Sequence, residues 1–179
     1  MRKESILLVF GFLFFCIAVT GFSATDTATH DVTMQVLEIV LIDLNNTSSI
    51  TLTTNAPALG GETPLGDTDT TKLLQYTSLV ASGTTRNITV NWGGTDAAPA
   101  GTSLKVEATS IPAGCGTAAA QVTISDVATN LVTAIGSCAT GTGANGTQLT
   151  YTFSLDNINS LEVGDNTTVT LTYTLTDGA

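Results

Sequence analysis

From His30 to Leu44 the chain reads HDVTMQVLEIVLIDL. Val32, Met34 and Val36 alternate with Thr33 and Gln35, which is the period-two pattern of a strand with one buried face. Beyond Val36 the apolar positions move to Leu37, Ile39 and Leu41, while Val40, Ile42 and Leu44 are apolar on the other side as well. A change of parity within a strand calls for a bulge, here near residues 36–38, and a strand bent in this way can pass from one sheet to another. The stretch therefore predicts a long strand around which a two-layer body is organised.

The pattern continues with period two. Asn45–Ser49 reads as a turn and Ile50–Thr53 as the start of the next strand, followed by a long acidic surface loop over residues 55–71 with two prolines. Extended structure resumes over residues 73–80. Ile88, Val90 and Trp92 then share a face, as do Val106, Ala108 and Leu104, with Lys105 and Glu107 on the opposite side. Val122–Ile124 is a short strand, and residues 126–135 fit either a helical turn or a strand. Leu149, Tyr151, Phe153 and Leu155 face one way, and Val169, Leu171, Tyr173 and Leu175 do the same. Short runs parted by turn residues, with no amphipathic helix, predict an all-β antiparallel β-sandwich, immunoglobulin-like or pilin-like, of about seven to nine strands. A closed barrel is the second choice.

The N-terminus changes this picture. Met1-Arg2-Lys3, the apolar run Ile6–Val19 and the small residues up to Ala24 have the three regions of a secretory signal peptide. Cleavage is expected after Ser23, leaving one domain over residues 24–179; the apolar run is short for a membrane span. Cys16 leaves with the leader, because Phe15 is too bulky for a lipidation site. In an exported chain the remaining Cys115 and Cys138 are expected to form a disulfide closing a loop of about 24 residues.

The chain has 15 acidic and 5 basic side chains. Two of the basic ones belong to the leader, so the mature protein is strongly acidic, which argues against nucleic acid and anionic membrane surfaces as partners.

Few residues suggest chemistry. His30 is the sole histidine, without a nucleophile or base placed around it, so no enzyme is expected and no cofactor. Glu62, Asp67 and Asp69 are oxygen donors for a calcium reading, but their spacing is not that of a calcium loop. Trp92, with Asp96 after it, is the candidate for stacking on a sugar, although its parity with Ile88 and Val90 indicates the core. An intramolecular amide crosslink needs a lysine turned inward beside an asparagine and a carboxylic acid, and Lys105 alternates outward. N-x-[ST] triplets start at Asn45, Asn46, Asn87, Asn145 and Asn166. The outward face of the last strand reads Thr168, Thr170, Thr172, Thr174 and Thr176, an uncharged ladder suited either to solvent or to a subunit interface.

With the leader, the turn and strand over residues 99–106, the Ile135–Cys138 segment and the closing strand from Thr168 to Asp177, the chain resembles small exported β-sandwich proteins of bacterial surfaces, among them pilin-like and matrix-fibre subunits. That resemblance implies a secreted or surface-exposed structural or adhesive subunit capable of self-association, with Ala24–Asp31 as an arm able to reach a neighbour. The alternative expectation is an extracellular carbohydrate- or calcium-binding module.

Overall fold

The computed structural model describes residues 26–94 and 96–178, so the expected leader, its cleavage site and Cys16 lie outside the described residues. Two compact units are distinguished, one up to Gln35 and one from Val36. Residues 26–35 have no regular secondary structure and their side chains are exposed.

The second unit is all-β, in two antiparallel sheets. Its strands are β1 (Ile39–Leu44), β2 (Asp67–Leu79), β3 (Arg86–Trp92), β4 (Thr102–Thr109), β5 (Thr117–Ala118), β6 (Val122–Thr123), β7 (Thr129–Ile135), β8 (Cys138–Ala139), β9 (Thr147–Leu155) and β10 (Leu171–Asp177). One sheet has the order β1-β2-β9-β4-β6, with β8 also on β2; the other has the order β10-β3-β7-β5. Between them lies the alternation read from the sequence: Leu74 and Tyr76 from β2, Ile88, Val90 and Trp92 from β3, Val106 and Ala108 from β4, Leu149 and Tyr151 from β9. The stretch over residues 126–135 resolves as strand β7, not a helical turn.

Four expectations are corrected. The first concerns His30–Leu44, which is not one long central strand. Pairing starts at Ile39 and β1 is an edge strand, in unbroken register with β2. Ile42 stands opposite Tyr76 and Leu44 opposite Leu74. Directly opposed residues share a face, so the even positions point to the core and Ile39 and Leu41 point out. No change of parity occurs and no bulge is needed, because the odd apolar positions stay exposed, Ile39 at 40% and Leu41 at 64%.

The second concerns the acidic loop, which ends at Asp67 because β2 begins there. A bulge does exist, but between Asp69 and Lys72, where the register against β9 shifts. Third, Ile50–Thr53 forms no strand, although Ile50 and Leu52 pack against the core. Fourth, Thr168 and Thr170 precede β10, so the threonine ladder on the strand itself is Thr172, Thr174 and Thr176.

Polar bridges cross between the sheets. Cys115, ahead of β5, is disulfide-bonded to Cys138 on β8, with Cα atoms 5.4 Å apart. Gly116 next to it has φ +112°, and a Cβ there would meet Val132, Thr133 and Ile135 at 2.8 Å, so the disulfide segment lies against β7 only as glycine. The Tyr76 hydroxyl donates to the Cys115 carbonyl at 2.7 Å. Tyr151 on β9 and Tyr173 on β10 share a hydroxyl–hydroxyl bond of 2.7 Å.

Arg86 is the largest of these bridges. It opens β3 in phase with Ile88, Val90 and Trp92 and is 1% exposed. Its guanidinium donates to the carbonyls of Ile39 (3.0 Å) and Leu79 (3.1 Å) and to Ser78 Oγ (3.1 Å), pairs with Glu38, and lies 3.4 Å from Asp177. Five acceptors, on β1, β2 and β10 and on the residue before β1, thus surround the guanidinium.

Because Glu38 and Asp177 are 63% and 89% exposed, their charges add little, while the buried donors and stem of Arg86 carry the stabilisation. Arg86→Ala is expected to lower unfolding free energy by about 3 kcal/mol through the void and the orphaned carbonyls, against less than about 1 kcal/mol for Glu38→Ala or Asp177→Ala. Denaturant melts of the three variants check this ranking.

Tyr76 and Tyr151 are buried and Tyr173 half-buried, and desolvation pushes each phenol above its ordinary value of 10.0. Folded protein therefore holds these protons to higher pH than unfolded chain does. Their contribution is fully present below about pH 10 and falls as pH rises beyond it. In a spectrophotometric titration the native protein should show no phenolate absorbance through about pH 10, then gain that of all three residues together as the fold opens. Reversible titration centred near 10 with the fold intact would contradict the burial.

Candidate functional site

The flanks of the sandwich differ. At one flank the sheets end in β5 and β6, two residues each, and such short strands offer no template for pairing. At the other end of each sheet stand β1, with six residues, and β10, with seven, which approach one another. Among the described residues each pairs on one side only, so a row of backbone donors and acceptors is left along its other side.

The side chains at this flank are unusual for a surface. Val36, Leu37, Ile39, Val40 and Leu41 are all exposed, Leu37 at 65% and Leu41 at 64%. Single exposed apolar residues are ordinary, but five within six consecutive positions are a concentration of apolar surface. A shallow depression of about 200 Å³ adjoins them, lined by Val36, Leu37, Glu38, Leu79, Val80 and Ala81. In the unit before it, Val32 and Met34 are exposed as well.

Local chemistry explains why this stretch is held in place. Arg86 takes the Ile39 carbonyl at the first residue of β1 and pairs with Glu38. From that point β1 runs along β2 with Ile42 and Leu44 inward, which forces the intervening Ile39 and Leu41 outward.

On β10 the outward Thr172, Thr174 and Thr176 stand opposite Asn91, Thr89 and Asn87 of β3, so the outer face beside this edge is polar without charge. Thr170 is tied down separately: its N–H donates to Asp96 Oδ2 at 3.2 Å and its carbonyl accepts from Gly93 at 3.3 Å.

The remaining candidates are not brought together. Trp92 is 8% exposed and packs in the core, so its ring offers no stacking face, and Asp96 is committed to the Thr170 backbone. Glu62 accepts from Leu59 N, Asp67 from Thr53 N and Thr68 N, and Asp69 from the N–H and hydroxyl of Thr71. These three carboxylates serve separate backbone turns, and among the described residues no three His, Cys, Asp or Glu side chains gather as a metal site. His30 is exposed in the N-terminal unit. Of the N-x-[ST] asparagines, Asn145 and Asn166 are exposed, and Asn45, Asn46 and Asn87 are half-buried.

Sequence reasoning missed two buried cations. Arg86 and Lys72 are 1% and 5% exposed. The signal was parity: Arg86 is in phase with Ile88, and Lys72 with Leu74 and Tyr76.

Comparison with protein families, with characterised proteins and with solved structures finds no match to this chain. Among the described residues no helix is long and apolar enough to cross a membrane, and the disulfide is compatible with an extracellular or periplasmic protein.

Proposed function

We propose that this chain is an exported, non-catalytic structural or adhesive subunit of a cell surface, and that it self-associates through the flank formed by residues 36–41 and the free edge of β10. The observation that carries this reading is the run of exposed apolar side chains from Val36 to Leu41 beside a strand edge that has no partner among the described residues. Water-facing apolar area of this kind is removed by association, and a free edge supplies backbone hydrogen bonds along which a second chain adds as a strand. The uncharged threonines of β10 support it, since charge and proline are the devices by which edge strands are otherwise guarded. The disulfide and the acidic composition suit an exported setting.

Light scattering coupled to size exclusion, with negative-stain imaging, tests the proposal. The mature protein is expected to form oligomers or fibres whose population rises with concentration. Leu37→Asp with Leu41→Asp should leave it monomeric with its melting temperature changed by no more than a few degrees, because both side chains face outward. A wild-type protein that stays monomeric at every concentration and binds no cell surface refutes it.

A further inference from the structure

Lys72 poses a chemical problem that the flank does not explain. It lies on β2, 5% exposed, immediately after the bulge. Its Nζ contacts the side-chain oxygen of Asn46, the Ser48 carbonyl and, at 3.4 Å, the Asn46 carbonyl. Among the described residues both ion pairs belong to Arg86, so no carboxylate stands within 4.0 Å of this amine. A buried ammonium without a counter-charge is costly even when its hydrogen bonds are made.

The partner is held as firmly as the lysine. The β1–β2 ladder continues past Leu44: Asn45 N donates to the Leu73 carbonyl at 2.9 Å, and Leu73 N donates to Asn45 Oδ1 at 2.9 Å. Asn46 is thereby set alongside Lys72, its carboxamide against the amine. The bulge also decides which groups share this face. Asp69 stands opposite Tyr151 and Lys72 opposite Leu149, both core-facing, so the carboxylate and the amine are turned to the same side of the sheet.

We propose that Lys72 and Asn46 form an intramolecular amide crosslink. Two protons pass from Nζ to Nδ2, the freed Nζ lone pair forms a bond to Cγ of Asn46, the Cγ–Nδ2 bond breaks, and Nδ2 leaves as ammonium. Ammonium plus carboxamide becomes secondary amide plus ammonium, so atoms and charge balance without any oxidant or co-reactant. Two features favour the reaction. Folding holds the reacting groups in contact, which removes the entropic part of the barrier. The product also expels as ammonium a positive charge that the fold otherwise keeps buried. The crosslink joins the end of β1 to β2 and is independent of whether the flank associates.

Mass spectrometry decides it. The reduced, denatured protein should be lighter than its sequence by one ammonia. Trypsin should fail to cut after Lys72, giving one peptide that runs on to Arg86 and carries the deficit, with no fragmentation between residues 46 and 72. Lys72→Met should restore the full mass, as should Asn46→Ala. An unmodified mass with normal cleavage after Lys72 overturns the proposal. So does an ammonia deficit with that cleavage retained, which marks a succinimide at Asn46 instead.

Discussion

The buried guanidinium of Arg86 fixes the arrangement from which the other features follow. It belongs to one sheet by its backbone and to the other by its hydrogen bonds, to Ser78, Leu79 and Ile39. A single lysine could not take its place, since one ammonium has three donors on one atom and the acceptors here meet three different nitrogens. The same group marks where β1 begins. Downstream of Ile39 the chain is committed to the ladder with β2; Glu38, just upstream, pairs with Arg86 while remaining largely in water.

The two layers are joined by more than apolar packing. The Tyr151–Tyr173 pair, the Tyr76 bond to the Cys115 carbonyl and the disulfide all run between the sheets or the segments attached to them. Such contacts give directionality that interdigitating aliphatic groups lack, because each polar group left unmatched in the interior would be penalised. Relative sliding of the sheets would break all of them at once, which fixes the register of the sandwich more tightly than leucine and valine alone.

The functional reading is a consequence of how the edges are treated. One flank is closed off by two-residue strands, whereas the other exposes long strands, apolar side chains and uncharged threonines. On the proposed reading, that asymmetry is what would give association a direction.

The alternation in β2, β3, β4, β9 and β10 was legible in the sequence because a strand with one face on the core writes that face at every second position. The all-β class and the buried parity of Ile88, Val90, Leu149 and Leu175 followed from local pattern, and the pairing of Cys115 with Cys138 from the two cysteines that remain beyond the expected leader. What tertiary structure decided were the places where local pattern is degenerate. Leu37, Ile39 and Leu41 look like core residues, yet β1 has sheet neighbours on one side only and a single face to bury, so one of its two apolar parities had to remain in water. Lys72 and Arg86 look like surface charges, yet their neighbours in phase carry them inward, where acceptors from other strands meet them. Periodicity reports which residues share a face; only the partners brought in from distant parts of the chain determine which face is covered.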